Sequence, residues 1–469
     1  MFGFVLKPAS VVQLPMFSIR QVPQKVRQIL QKFSQNNAQI YIVGGAVRDL
    51  YLKRPVKDWD FATNFTPQQM KKIFPANSFY LNDFGTFSII GPKQEIFEVT
   101  TFRSESVYAD FRHPSKVDWG KSIKEDLKRR DFTINTIALK PIYIKARLKS
   151  LEIIDPYDGL KDLDLKLIRA VGDPDTRFSE DAHRLIRAVR IAGQIGFTIE
   201  KNTLASIQKN SQLLEKISAE RIRDDFLKIL TTSTPSAGIN LLKDTNLLTY
   251  IVPELLKGIG MSQKGHHIYD VWTHSLSCLD NCDSTSPITK LAALLHDVGK
   301  PYTVNFPNGP DSEPTFHNHE VVSGRLARSI GKRLRLSNKQ LDQLYRLVRW
   351  HMFTADDKQT DKAVRRLIRH ITPDYLDDLI SLRRGDRLGS GAKETSWRWE
   401  LLKHRFIEVQ KQPFSVKDLK VTGNDVMEIL KIKPGPKVGQ ILNQIFLKVA
   451  DDPSLNVRPI LLKMLHEYS

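Results

Sequence analysis

The sequence predicts an α+β protein whose first third contains strands and whose remainder is helical. β-rich runs at residues 39–43, 87–90 and 96–101 alternate with helical patterns. After residue 156 the β-signal nearly vanishes, and apolar residues then recur at helical spacing almost to the end. We expect a head of about five strands followed by helices. The expected regions are an arm at 1–37, a head at 38–150, a neck and body at 151–260, a helical domain at 261–395 and a helical tail at 396–469.

The composition indicates a polyanionic partner. Lys and Arg number 71 against 52 Asp and Glu, which gives a net charge of +19 and a pI near 9.7. Such a surplus is typical of proteins that bind nucleic acid, although a basic enzyme without such a partner can show it as well. With 469 residues, the chain is long enough for several domains with their own cores.

Cysteine usage and hydropathy predict a cytoplasmic protein. Only Cys278 and Cys282 occur, which excludes a disulfide framework and makes buried free thiols the expected state. Prolines interrupt the apolar start of the chain, and no stretch approaches the roughly 18 apolar residues that cross a bilayer. We expect no membrane partner, and no protein partner is evident. The choice between Met1 and Met16 as the first residue stays open.

The most informative motif is Gly44-Gly45 followed by Asp58-Trp59-Asp60. A double glycine that opens a helix lets backbone N–H groups approach a polyphosphate. Residues i and i+2 of a strand share a face, so Asp58 and Asp60 are predicted to share a pair of divalent cations. Two such cations can bind the attacking oxygen and the departing pyrophosphate of an in-line displacement. Each motif alone is typical of a turn or a solvated loop, but together they predict nucleotidyl transfer.

A basic segment follows the head. Residues 180–190, EDAHRLIRAVR, contain Asp181, Arg184, Arg187 and Arg190. On a single helix, residues 181, 184 and 187 fall on nearby faces, and a surface ion pair is the ordinary explanation. However, a carboxylate accepts and a guanidinium donates hydrogen bonds, so one Asp–Arg pair complements the edges of C and A and refuses G and U. The segment is therefore a candidate for base selection.

These motifs resemble those of a known family. Residues 41–63, YIVGGAVRDLYLKRPVKDWDFAT, resemble the polymerase-β-type nucleotidyltransferase superfamily and, more narrowly, class II tRNA nucleotidyltransferases and bacterial poly(A) polymerases. Residues 98–106, 125–140, 180–190 and 219–230 resemble further motifs of that family in the expected order. The resemblance implies that Asp58 and Asp60 are catalytic and hold Mg²⁺. It implies nucleotide binding by Gly45, Arg48, Arg130, Asp131, Asp181, Arg184, Arg187 and Arg190.

Glu98 allows two interpretations. By analogy with the superfamily it is a third acidic group, but the apolar residues at 96 and 99 suit a plain strand equally well. The sequence leaves both open.

A second set of polar residues resembles the HD phosphohydrolase superfamily. The stretches YDVWTHSL, LAALLHDVGKP and LRRGDRLGSG supply histidines and aspartates in the order of that superfamily. A lone histidine on a helix is more often structural than a ligand. In this order, however, the residues imply a divalent ion (Ni, Mn, Fe or Mg) that activates water against a phosphoester. The implied ligands are His274, His296, Asp297, His319, His351 and Asp386.

The tail at 421–456 resembles bacterial CCA-adding enzymes that carry an HD domain. The implied fold is a polymerase-β-like nucleotidyltransferase head followed by an all-helical neck, body, HD domain and tail. The implied function is addition of C, C and A to tRNA 3′ ends from CTP and ATP. The alternatives are an A-adding enzyme, a poly(A) polymerase and, from another class, an HD phosphohydrolase with a non-catalytic RNA-binding head.

Two further expectations concern the surface. The polar loop at 104–121 is expected to reshape the pocket between C and A addition, because a rigid pocket cannot be complementary to both nucleotides. Basic stretches at 325–335, 365–369 and 411–420 are candidates for holding the tRNA backbone, or are simply solvated helix faces.

Overall fold

The computed structural model describes residues 17–76, 78–80, 86–92, 94–103, 120, 122–263, 269–309, 312–353, 360–410 and 416–468. The chain forms two compact units. The first consists of Met1–Asp225 and Leu241–Tyr250, and the second of Phe226–Asn240 and Ile251–Ser469. The predicted loop at 104–121 lies outside the described residues except for Gly120. The predicted region boundaries stay predictions.

A mixed sheet of seven strands lies in the first unit. Its strands are β1 Ile40–Val43, β2 Asp60–Thr63, β3 Ser78–Tyr80, β4 Thr86–Ile90, β5 Ile96–Thr101, β6 Ala138–Ile144 and β7 Arg147–Ile154. Their order is β3-β4-β5-β2-β1-β6-β7, with β2 and β5 parallel and the other neighbours antiparallel. The short strands β8 Leu167–Ile168 and β9 Thr198–Ile199 form a separate parallel pair.

The α+β class is confirmed, and the three strands predicted from sequence are present. β1 is apolar and buried along its whole length, as expected for a strand with neighbours on both sides. The expected number of strands is wrong, because the sequence does not predict the edge strands. β7 reads RLKSLEII and has no fully buried residue, so its pattern lacks the apolar face that identifies a strand.

Helices α1, α2 and α3 pack against strands of the sheet, and the rest of the described chain is mainly helical. α1 shows the usual cause, since Val26, Ile29, Leu30 and Phe33 recur at helical spacing and are buried. The helices between residues 24 and 251 are α1 Gln24–Gln35, α2 Gly45–Tyr51, α3 Pro67–Ile73, α4 Ile123–Lys128, α5 Gly159–Asp164, α6 Pro174–Glu180, α7 His183–Ile195, α8 Lys201–Lys209, α9 Ala219–Leu230, α10 Pro235–Asp244 and α11 Leu248–Ile251.

Beyond residue 251, the described residues form helices and one isolated β-bridge, between Asn305 and Thr315. These helices are α12 Val271–Asn281, α13 Pro287–Leu295, α14 His319–Arg333, α15 Asn338–Arg349, α16 Asp361–Ile371, α17 Leu376–Gly389, α18 Trp397–Gln410, α19 Gly423–Leu430, α20 Pro436–Asp451 and α21 Arg458–His466. Short 3₁₀ helices span Ile19–Gln21, Thr133–Asn135, Ser211–Lys216, Pro253–Gly258, Lys300–Tyr302, Pro373–Tyr375, Val416–Asp418 and Pro453–Leu455. None of the described helices has the length and hydropathy needed to span a membrane.

Two glycines let α12 and α17 approach each other closely. A Cβ at Gly385 would lie 2.5 Å from the carbonyl oxygen of Cys278, and a Cβ at Gly389 would lie 2.8 Å from its backbone nitrogen. The crossing therefore has no room for larger residues on this face of α17. It also brings His274 of α12 within 3.3 Å of Asp386 of α17.

We predict that Gly385→Ala destabilises the second unit. The added methyl group must displace the α12 backbone, a type of overpacking that costs about 1–3 kcal/mol. Gly439→Ala is the matched control, because Gly439 also lies within a helix but a Cβ there meets nothing within 4 Å. The control should be neutral or stabilising by up to about 1 kcal/mol. Urea unfolding of both variants measures the difference, and equal stability would show that the crossing tolerates a methyl group.

Candidate active site and metal centre

The glycine pair lies where β1 meets α2. Gly44 has a φ of 70°, in the left-handed region that favours glycine, and directly precedes α2. A Cβ at Gly44 would lie 3.1 Å from Nη1 of Arg130 and 3.8 Å from Oδ2 of Asp60. Val43 pairs with Asp60 across the sheet. The turn thus places backbone, a carboxylate and a guanidinium side by side.

Three carboxylates lie at the start of β2 and on β5. Asp58 was expected to lie in the same strand as Asp60. It lies outside, because β2 begins at Asp60. Glu98 pairs with Asp60 in parallel register, which favours its interpretation as the third acidic group. Burial raises the pKa of Asp60 and of Glu98, and the charge of Asp58 raises both further. Oxygen donors that repel one another in this way fit a hard divalent cation such as Mg²⁺.

A carboxylate that the sequence analysis did not single out holds Arg130. Asp126 is fully buried and lies 3.0 Å from Nη2 of Arg130 and 2.7 Å from Nη2 of Arg129. Burial alone would raise its pKa, but the two guanidinium groups lower it to about 2. The spacing of three and four residues is the signal that could have predicted these pairs.

Hydrogen bonds through Asn135 join three predicted nucleotide-binding residues. Nη1 of Arg48 donates to Oδ1 of Asn135, and Nδ2 of Asn135 donates to Oδ1 of Asp131, each at 3.0 Å. Nε of Arg187 donates to Oδ2 of Asp131 at 2.9 Å. Although Asp131 is buried, Arg187 and Asn135 hold its pKa well below the usual range. The structure therefore brings Arg48, Asp131 and Arg187 together.

The prediction that residues 180–190 form a single helix is wrong. α6 ends at Glu180, Asp181 has extended backbone angles (φ −142°, ψ 97°), and α7 begins at His183. Oδ1 of Asp181 accepts a hydrogen bond from the N–H of His183 at 3.1 Å. Asp181 therefore lies in a break between α6 and α7. There its short side chain can hydrogen-bond to the backbone.

Arg184 is buried and held by three hydrogen bonds. Nη1 donates at 3.0 Å to the carbonyl oxygen of Arg177 and to Oε2 of Glu180. Nη2 donates at 2.7 Å to the carbonyl oxygen of Arg129. Its backbone N–H donates to the carbonyl oxygen of Asp181 at 3.1 Å, so the two predicted base-reading residues lie within one turn of each other. The roles of both stay predictions.

Arg190 is paired with a residue of α9 that the sequence analysis did not single out. Nε of Arg190 lies 3.0 Å from Oδ1 of Asp225, and Nε2 of His183 lies 2.9 Å from Oδ2. Nη2 of Arg221 approaches Nδ1 of His183 at 3.0 Å and Oδ2 of Asp181 at 3.7 Å. These contacts tie α9 to the segment that is predicted to select bases.

The six predicted ligands of the second unit are together and buried. His274, His296 and Asp386 form one group whose potential ligand atoms lie within 4.8 Å of one another. Asp297, His319 and His351 form a second group of the same kind. Asp297 connects the groups, since its Oδ2 is 3.1 Å from Nε2 of His296 and its Oδ1 is 3.2 Å from Nε2 of His319.

The orientation of three imidazoles fits metal binding. Nδ1 lies 2.8 Å from the carbonyl oxygen three residues earlier in His296 and His319, and 2.7 Å in His351. A carbonyl oxygen only accepts, so Nδ1 carries the proton and Nε2 keeps a lone pair for a ligand bond. Burial lowers the pKa of His351 to about 3, which keeps it neutral. Nε2 of His319 is buried and points towards Oδ1 of Asp297, 3.2 Å away, so an ion bound there could be shared by both residues.

A cavity of about 540 Å³ opens beside this centre. Asp297 and Asp386 line it, together with Lys300, Arg383 and Arg387. The predicted metal ligands Asp297 and Asp386 are therefore accessible to a small molecule or to a chain end, and the cavity wall carries positive charge.

Comparisons with known proteins identify the domains in which both candidate sites lie. The family described as the poly A polymerase head domain matches residues 40–169, a probable RNA- and SrmB-binding site of polymerase A matches 196–258, and the HD domain matches 265–383. The chain thus has the domain composition of an RNA nucleotidyltransferase with an HD domain. This confirms the implied head and HD domain.

Similar proteins identify the family of the chain more specifically. The CCA-adding enzyme of Pediococcus pentosaceus is 32% identical over 434 residues, covering 92% of this chain and 95% of that protein. That of Streptococcus mutans is 33% identical over 428 residues, covering 90% and 91%. The crystal structure of the Bacillus stearothermophilus CCA-adding enzyme in complex with CTP matches with a TM-score of 0.66 and 27% identity, covering 95% of this chain and 97% of that one. The chain belongs to the CCA-adding enzyme family.

We predict that Asp126→Asn destabilises the first unit in a pH-dependent way. Removing one partner of a buried ion pair costs roughly 3–5 kcal/mol. Since the folded-state pKa of about 2 lies below the ordinary aspartate value near 3.9, this stabilisation is complete above pH ~4 and is lost as the pH falls through about 2. Thermal unfolding of both proteins should therefore converge at low pH. Asp244→Asn, at a side chain that is 61% exposed, is the control and should match the wild type throughout.

Proposed function

We propose that this chain adds C, C and A to tRNA 3′ ends from CTP and ATP without a nucleic-acid template. The observation that carries the proposal is the cluster of Asp58, Asp60 and Glu98 beside the Gly44 turn, in a chain similar over most of its length to CCA-adding enzymes. The residues of the head supply positioning and charge, and no side chain is needed as a general base.

Asp58 and Asp60 would hold Mg²⁺, with Glu98 as a third acidic neighbour. The ions would supply positive charge at the attacking 3′-hydroxyl and the departing pyrophosphate. The glycine turn lets the triphosphate approach the backbone without a side chain in the way. Arg130 lies next to that turn, which supports a role for its guanidinium in binding phosphate oxygens.

The segment around Asp181 and Arg184 would select the base. Arg184 can donate to the ring nitrogen of cytosine or adenine, and Asp181 can accept from the exocyclic amino group. Because Glu180 and two carbonyl oxygens fix the Arg184 guanidinium, it cannot swing away to suit G or U. A rigid donor set is what discrimination by hydrogen bonds requires.

One experiment separates this function from its alternatives. The protein is incubated with Mg²⁺ and tRNAs that end in the discriminator base, in C or in CC, each NTP is supplied singly, and the products are sequenced. A CCA-adding enzyme uses CTP on the first two tRNAs and ATP on the third. An A-adding enzyme acts only on the third, and a poly(A) polymerase extends all of them with A.

We predict that Asp58→Asn and Asp60→Asn each lower nucleotide addition by roughly 10²–10³-fold or more, because charge stabilisation of this size is lost with a catalytic ligand. The fold should persist, as circular dichroism can verify. Asp224→Asn is the control, since its side chain is 57% exposed and, among the described residues, pairs with its neighbour Arg223. Wild-type addition by both site variants would leave the head as a non-catalytic RNA-binding domain.

We also predict that Asp181→Ala and Arg184→Ala weaken discrimination among nucleotides. Each good base-edge contact contributes about 1–3 kcal/mol of selectivity, so incorporation of UTP and GTP should rise relative to CTP and ATP by roughly tenfold or more. Competition assays with mixed NTPs measure the ratio. A uniformly lower rate with unchanged preference would instead indicate that both residues only support the fold.

We further propose that the second unit is a metal-dependent phosphohydrolase. Its ligand set of imidazoles and carboxylates suits Ni²⁺, Mn²⁺, Fe²⁺ or Mg²⁺, and such an ion acidifies a bound water. Two observations support the proposal: Asp297 lies between the two ligand groups, and a cavity gives access to them. Hydrolysis of a terminal phosphate or a 2′,3′-cyclic phosphate would restore the hydroxyl that nucleotide addition requires.

His296→Ala and Asp297→Ala are predicted to abolish metal uptake and hydrolysis and to leave CCA addition intact. Metal content is measured by mass spectrometry after dialysis, and hydrolysis with 2′,3′-cyclic AMP and p-nitrophenyl phosphate in each ion. The control is His404→Ala, at an exposed histidine of α18. If the wild-type protein binds none of these ions, the second unit is a helical scaffold without an active metal site.

A further inference from the structure

One face of α17 lines the cavity beside the metal centre. Arg383, Asp386, Arg387 and Ser390 all contribute to the lining. Their spacing of three, four and seven residues places them on a single helical face. This face therefore presents two guanidinium groups to whatever enters the cavity.

The charges at the cavity differ in whether they are already paired. Nη1 of Arg383 lies 2.7 Å from Oδ2 of Asp386, and Nζ of Lys300 lies 2.7 Å from Oδ2 of Asp297. These two cations are neutralised by the acidic ligands. Among the described residues, no carboxylate lies at ion-pair distance from Arg387. Its Nη2 instead donates to the carbonyl oxygen of Lys393 at 3.0 Å.

A second observation at Arg387 concerns the hydrogen bonding of its guanidinium group. Its Nε is buried and has no hydrogen-bond partner among the described residues. Burying a charged N–H donor without an acceptor is unfavourable, so such a donor is rare unless a ligand completes it. A guanidinium offers a planar set of donors that matches two oxygens of a phosphate.

We propose that Arg387 binds the phosphate group of the substrate in this cavity, and that the substrate is a phosphomonoester of nucleotide size. The inference rests on the phosphohydrolase function proposed above. A dianionic phosphate suits an unneutralised arginine next to a cation centre. The volume of about 540 Å³ exceeds that of a phosphate, and Pro314, Phe316 and Met352 give the wall an apolar part for the organic group.

The reaction at this site balances with water alone. Water supplies the oxygen that forms the new bond to phosphorus, the ester P–O bond breaks, and the departing alcohol takes a proton. The products are a free hydroxyl and inorganic phosphate. Arg387 would hold two non-bridging oxygens and thus fix the phosphorus in front of the attacking water.

The test compares Arg387→Ala and Arg387→Lys with Arg384→Ala in the full-length protein loaded with Mn²⁺ or Ni²⁺. Arg384 is the matched control, because it lies on the same helix, pairs with Glu394 at 2.6 Å and does not line the cavity. Substrates are 3′-AMP and, as a diester, bis-p-nitrophenyl phosphate. Binding of inorganic phosphate is measured separately by calorimetry, and metal content by mass spectrometry.

Arg387→Ala should raise the KM for 3′-AMP and weaken phosphate binding by roughly tenfold or more, as expected for one charge-assisted contact. Metal content should stay unchanged, and Arg387→Lys should restore part of the binding. Unchanged KM and phosphate affinity in Arg387→Ala, or faster hydrolysis of the diester than of 3′-AMP by the wild-type protein, overturns the proposal. If no substrate is hydrolysed while phosphate binding still depends on Arg387, the hydrolase function fails and the anion site stands.

Discussion

The repulsion among Asp58, Asp60 and Glu98 is the constraint on which the head depends. Burial raises the pKa of Asp60 and Glu98, and the negative charge of Asp58 raises both further, so positive charge nearby favours their ionised forms. The protein supplies part of that charge through arginines, and a divalent ion would supply the rest. Arg130 in turn is fixed by the buried Asp126. The acidic corner of the sheet is therefore connected through Arg130 to a carboxylate buried in the core.

In the second unit, histidines are the main groups of the candidate metal site. In His296, His319 and His351 the imidazole Nδ1 bonds to the carbonyl oxygen three residues earlier. The local backbone thus orients each ring before any ion binds, and Nε2 is left for the ligand bond. Asp386 comes from α17, whose glycines permit contact with the α12 backbone. Close packing of two helices and local hydrogen bonds together preorganise the centre.

Hydrogen bonds fix the predicted nucleotide-binding residues of the first unit as well. Asn135 joins Arg48 to Asp131, and Asp131 also accepts a hydrogen bond from Arg187. Arg184 donates to two carbonyl oxygens. A network of this kind limits how each side chain can move, and limited movement is what allows a protein surface to refuse a base of the wrong hydrogen-bonding pattern. The two units thus share one strategy, in which buried polar contacts fix the groups that face the ligand.

The sequence by itself determined the fold class, the central strands and the identity of the chemical groups, because these follow from local periodicity and from motif spacing. It did not predict the edge strand β7, whose pattern is only half apolar, or the break at Asp181, where a carboxylate bonds to the backbone of His183. The tertiary structure alone decided that Glu98 lies beside Asp60, that Asp126 holds Arg130, and that Nε of Arg387 is buried without a hydrogen-bond partner in the part of the chain that the structure describes. Strand register and helix crossings set these contacts, and both depend on residues far apart in the chain.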